Sequence, residues 1–182
     1  MEIREGNITF SFDEQFWSDL RTFDKANPDY AKMEKLNNTK AIDILGCHAT
    51  YGLCLIEIKD FRSSRIENRN RLKKLELFEE VGQKVKDSLA CVLAGARNST
   101  NHLAYWNRQV DLIKNPDLRV NVLLWLEEDA NVTFGEPTGK ANMSIYINVL
   151  KKKVSWLTKK VKILNSRKRD NLDTLNISVT LH

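Results

Sequence analysis

Residues 53–59 read Leu53-Cys54-Leu55-Ile56-Glu57-Ile58-Lys59, an apolar run interrupted by two charges. Side chains alternate across a strand, so Glu57 and Lys59 share one face and Ile56 and Ile58 the other. Upstream, Lys40 to Gly46 is another short apolar run, and Cys47-His48-Ala49-Thr50-Tyr51-Gly52 separates the two. This pattern predicts a β-hairpin with a longer loop. If the hairpin is centred on Thr50, Asp43 falls opposite Glu57, where cross-strand β-carbons lie about 4.5 to 5.5 Å apart. Two carboxylates so placed in a half-buried sheet repel and lose hydration, which calls for a compensating cation. Mg²⁺ answers that demand, because it prefers oxygen ligands, takes one or two protein carboxylates and leaves other positions to water and phosphate.

Outward from the hairpin, Ile8 to Phe12 reads as a short strand. In Asp13 to Lys25, Phe16, Trp17, Leu20 and Phe23 lie close to helical spacing behind a first turn of acids, which predicts a first helix. From Asn70 to Ala96 the apolar stripe Leu72, Leu75, Phe78, Val81, Val85, Leu89 and Val92 predicts the longest helix. Tyr105 to Lys114 reads as a further helix cut off by Asn115-Pro116, and Arg119 to Leu126 as a buried strand. Asn142 to Val161 reads as an amphipathic helix, and Leu175 to Leu181 alternates like a strand. Pro28, Pro116 and Pro137 all fall where turn or loop chemistry is expected. The order gives a mixed α/β fold, with the long helix packed on the sheet that the hairpin begins.

Ile42-Asp43 followed by Glu57-Ile58-Lys59 on consecutive strands resembles the PD-(D/E)xK nuclease superfamily, the restriction-endonuclease-like fold. Its αβββαβ core would cover about residues 13–126, and residues 140–182 would add a C-terminal helix and strand. Asp60-Phe61-Arg62 after the lysine is also similar to what many such sequences show, whereas Ile42 stands where the family often has proline. The resemblance implies a phosphodiesterase acting on DNA, or on RNA. Asp43, Glu57 and the backbone carbonyl of Ile58 would hold Mg²⁺ or Mn²⁺, and Lys59 would position the attacking water. An additional acid from the first helix often completes such sites; Asp13, Glu14, Asp19 and Glu34 are the candidates, and Glu14 is taken. The competing reading makes Glu57 and Lys59 an ordinary same-face ion pair, in a module that keeps the fold and binds nucleic acid or protein without catalysis.

The chain has 182 residues, 42% hydrophobic and 29% charged, a balance suited to a single globular domain over residues 1–182. Its amino end, Met1-Glu2-Ile3-Arg4-Glu5, lacks the apolar core of a secretory signal, and no apolar run approaches a bilayer's width, so a cytoplasmic protein without a membrane partner is expected. Three cysteines, Cys47, Cys54 and Cys91, form no CxxC pair, and His48, His102 and His182 form no spaced metal set. The net charge of +5 permits a polyanionic partner without demanding one.

The positions of the basic residues are more telling. Directly after the lysine strand, Arg62, Arg65, Asn68 and Arg69 are candidates for phosphate contacts, although a solvated loop would carry the same charges. On the long helix, Gln83 and Lys84 would face the site if the resemblance holds, while the periodicity favours a polar outer face opposite Val81, Val85 and Leu89. A second basic block, from Lys151 to Arg169, contains no acid. It could follow a nucleic-acid backbone, or simply complement a helix C-terminus. A single domain with no separate recognition module would draw specificity from self-association or a partner protein.

Overall fold

The computed structural model describes residues 1–23, 30–33, 35, 38–62, 72, 75–128, 137–167 and 169–182, without the side chains of 137–142 and 169–171. In chain order the elements are β1 (Glu2–Glu5), β2 (Ile8–Phe12), β3 (Trp17–Thr22), α1 (Tyr30–Met33), β4 (Ile44–His48), β5 (Gly52–Asp60), α2 (Glu76–Asn98), α3 (Leu103–Lys114), β6 (Val120–Glu127), α4 (Pro137–Lys153), β7 (Val161–Leu164), α5 (Arg169–Leu175) and β8 (Ile177–Leu181).

Five strands form the central sheet in the order β3-β4-β5-β6-β7. The first three run antiparallel, and β5, β6 and β7 run parallel to one another. A second, antiparallel sheet has the order β1-β2-β8. The period-two rule splits the central sheet's side chains between two cores. Leu53, Leu55 and Leu124 pack with Phe78 and Val85 of α2, Trp106 of α3 and Leu150 of α4. Cys54, Ile56, Ile58 and Trp125 pack with Phe10 of β2, Leu175 of α5 and Ile177 of β8. The result is a three-layer mixed α/β arrangement with α2, α3 and α4 on one side of the central sheet and the small sheet with α5 on the other. Among the described residues no helix is long and apolar enough to cross a membrane.

The hairpin forms as the sequence predicts. Its register pairs Ile44 with Ile56, Gly46 with Cys54 and His48 with Gly52, which centres it on Thr50. The helix ended by Asn115-Pro116 and the buried strand also form at the expected places, while the long helix runs over Glu76–Asn98 and starts later than Asn70, with Leu75 at φ 62° just before it.

The first-helix expectation does not hold: within residues 13–25, Trp17–Thr22 is strand β3. A register irregularity between Ser18 and Arg21, with Asp19 at φ 54°, inserts a bulge. The bulge lets Trp17 and Leu20, three residues apart, enter the same core. A bulged strand thus imitates helical spacing. The expectation over Asn142 to Val161 is also corrected. The helix spans Pro137–Lys153 and Val161 already opens β7, yet Leu150 in the helix's last turn and Val154 just past its end bury in one core, which prolongs the stripe. Pro137 opens α4 rather than a turn; as first helical residue it loses no hydrogen bond by lacking an N–H. Leu175 closes α5, so the last strand starts at Ile177.

Two side chains of α2 fix the segment leading into β4. The Lys40 amide donates to Asp87 Oδ2 at 3.1 Å and the Ile42 amide to Ser88 Oγ at 3.0 Å. Ile42 and Ser88 are both fully buried. Ser88→Ala would leave the Ile42 amide buried without its acceptor, an expected loss of about 1 to 3 kcal/mol in chemical denaturation. An unchanged denaturation midpoint would mean that this contact does not hold the segment.

Candidate active site at the end of the central strand

Strand β5 is buried almost throughout, and its apolar positions explain why: it is the middle strand of five, covered on both faces. Glu57 nevertheless projects toward α2 with 1% of its surface exposed. Asp43 stands one step before β4, where the paired register ends at Ile44 and Ile56; its amide donates to the Ile56 carbonyl at 3.2 Å, one residue short of Glu57, and its side chain meets the Glu57 site through Lys84. One Asp43 oxygen, Oδ2, accepts the Ile58 amide at 2.6 Å, and Oδ1 faces the helix.

Two lysines meet these acids. Lys59 Nζ lies 2.9 Å from Glu57 Oε1 and 3.1 Å from Glu80 Oε1. Lys84 Nζ lies 2.7 Å from Glu57 Oε1 and 3.4 Å from Asp43 Oδ1. The five groups form an alternating chain, Glu80, Lys59, Glu57, Lys84, Asp43, in which each ammonium touches two carboxylates. The Glu57 Oε2 atom is buried with no hydrogen-bond partner among the described residues.

Burial, and then the charge of Asp43, push the Glu57 carboxyl up to about 7, while Lys59 and Lys84 pull it partly back. Burial works against the Lys84 ammonium, but Glu57 and Asp43 outweigh it and hold Lys84 above the ordinary lysine value. The sign for stability follows. A carboxyl that is easier to protonate in the folded state stabilises that state fully below its unfolded pKa, and this contribution is lost as pH rises to about 7. Metal-free protein should therefore lose up to about 3 kcal/mol between pH 4.5 and pH 8 from this group. Denaturation curves of wild type and Glu57→Gln should diverge over that window; parallel profiles would contradict the buried-acid account.

The other candidates fall in different places. Gln83 Nε2 donates to both oxygens of Asp87 at 2.8 Å, so it orients the carboxylate that holds the Lys40 amide. Lys84 departs from the outer-face expectation because α2 has more than one buried side: it packs against the sheet, α3 and α4. Arg62 forks onto the Asp60 carboxylate at 2.9 and 2.7 Å and donates to the Asn7 carbonyl. Arg65, Asn68, Arg69 and Glu34 lie outside the described residues. Glu14 is exposed and pairs with the Met1 amino group, Asp19 pairs with Arg108, and Asp13 caps the Gln15 amide, so none of the three joins the chain of charges.

In the second basic block, Lys160 precedes β7 and its carbonyl accepts the Val122 amide, near the start of β6. That places it at the opposite end of the parallel strands from Lys59. Glu80 escaped the sequence reading, and its only signal was its position four residues before Lys84, on the same helix face.

Among the described residues no three histidine, cysteine or carboxylate side chains are grouped to hold a metal ion. The fit to a hard cation therefore rests on two carboxylates, with backbone, water and substrate for the remainder. Asp43 and Glu57 approach a common point, and the unpartnered Glu57 Oε2 leaves one buried lone-pair site for it. Compared with protein-family models, curated proteins and solved structures, the chain matches none.

Proposed function

We propose that the chain is a metal-dependent phosphodiesterase of the nuclease kind, acting on DNA or RNA, with a restriction-endonuclease-like core. The observation that carries this reading is the convergence of Asp43 and Glu57 on one cation, Lys84 Nζ, with Lys59 on the same face of the strand. The topology supports it: the antiparallel meander β3-β4-β5, then α2, then β6 parallel to β5 is the order expected of that core once its first helix is set aside.

Asp43 and Glu57 would hold Mg²⁺ or Mn²⁺, with the Ile58 carbonyl as a further ligand. Such an ion supplies a nucleophile at neutral pH and neutralises charge on the phosphate. Lys59, clamped between Glu57 and Glu80, is oriented to hold the attacking water in line.

A second reading is supported by the same charges. Because each ammonium is paired twice, the chain can be a self-satisfied structural network in a module that binds nucleic acid or protein without cutting. Purified protein incubated with Mn²⁺ and plasmid or single-stranded DNA or RNA separates the two. Cleavage that requires Mn²⁺ supports the enzyme; binding with no cleavage supports the module.

A further inference from the structure

Lys84 occupies the one position that a cation shared by Asp43 and Glu57 would take. Its Nζ is 2.7 Å from one carboxylate and 3.4 Å from the other, and its side chain is only 12% exposed. An ammonium and a metal ion repel, so the two cannot share that point. The charges of the chain also have a sign. With Glu57 ionised, three carboxylates and two ammonium groups sum to −1, which repels a phosphate; adding a divalent cation, which also favours the ionised carboxylate, turns the sum to +1, which attracts one. A displaced ammonium has a destination as well, because Glu80 lies one helical turn before Lys84 and within its electrostatic reach.

We propose that Lys84 is a built-in counter-ion that holds the shared position between Asp43 and Glu57, is displaced by a divalent cation, and then contributes its charge to binding a phosphodiester. This rests on the nuclease reading and adds to it a positioning residue and an order of events. The buried Glu57 Oε2, without a hydrogen-bond partner among the described residues, is the second observation behind it, since Lys84 reaches only Oε1. Metal comes before substrate, because only the loaded site carries the positive sum.

Mn²⁺ affinity of the full chain, measured by titration calorimetry or from the free-ion electron paramagnetic resonance signal, tests this without reference to cleavage. Lys84→Met removes the competing charge, so Mn²⁺ should bind roughly tenfold tighter or more. Metal-free Lys84→Met should melt below wild type and recover more than wild type does when Mn²⁺ is added. Should Lys84→Met prove too unstable without metal, Lys84→Gln purified in Mn²⁺ and then dialysed gives the same comparison. Tighter binding that disappears in Lys84→Met/Glu57→Gln supports the proposal.

Equal or weaker Mn²⁺ binding by the Lys84 variants, with wild type still binding through Glu57, overturns the counter-ion role and leaves the nuclease reading standing. Tighter binding that survives Glu57→Gln also overturns it, because the ion would then lie elsewhere. Absence of Mn²⁺ binding by wild type and variants alike overturns both.

Discussion

Lys59→Ala should lower the Mn²⁺-dependent cleavage proposed for this chain by roughly 10²- to 10⁴-fold, the range for removing a group that holds or transfers a proton in the transition state. The effect should appear in kcat rather than in KM, because Lys59 is tied to Glu57 and Glu80 and not to a surface that binds remote parts of a substrate. Asp43→Ala should abolish the same activity through loss of a proposed metal ligand, and loss of the acceptor for the Ile58 amide should also destabilise the protein. Asp43→Asn keeps the shape and a hydrogen-bond acceptor and isolates the charge. A contaminating nuclease would be untouched by all three substitutions. Full activity in Lys59→Ala with unchanged metal dependence would remove Lys59 from the mechanism, and full activity in Asp43→Asn would remove the metal site itself.

Gly52→Ala is expected to be among the most damaging small substitutions in the chain. Gly52 opens β5 at φ 72°, and a β-carbon there would overlap the Arg119 carbonyl oxygen, which accepts the Leu53 amide at 2.9 Å. A left-handed alanine costs roughly 1 to 2 kcal/mol and crowding against backbone roughly 1 to 3 more. The sum, about 2 to 5 kcal/mol, should lower Tm by about 5 to 20 °C for a chain of this size. The contact also aligns the start of β5 with β6, where Leu53 pairs with Val120. Gly52→Ala should therefore weaken the site at a distance, by loosening the strand that carries Glu57 and Lys59. A Tm within a degree or two of wild type would show that the β5–β6 junction tolerates displacement.

The hairpin was legible because two signals agreed: apolar runs of strand length, and charges whose parity put Glu57 and Lys59 together. The loop length put Asp43 near Glu57, although the paired register ends at Ile44 and Ile56 and it is Lys84 that joins the two carboxylates. The first segment was misread for an equally physical reason, since a bulge at Ser18–Arg21 changes the burial spacing from two residues to three. Lys84 and Glu80 were harder. Periodicity sorts helix residues into an inner stripe and an outer face, but α2 is enclosed on several sides, and charged residues that neutralise one another across a helix–strand contact carry no sequence pattern. The small sheet's position against the far side of the central sheet was likewise invisible, because pairing of β2 with β8 joins residues more than 160 apart.

The parallel contact between β5 and β6 has a bearing on how the chain can be cut and how it reaches its fold. Leu53 and Val120, paired neighbours, are separated by α2 and α3, so the edge of β5 stays open until some sixty further residues have been made. A fragment ending before Val120 would present an apolar, unprotected strand edge to other copies of itself and should aggregate. Dissecting the charge chain in a shorter piece is therefore impractical, and closure of that edge, a long-range and entropically expensive event, is the step expected to pace folding.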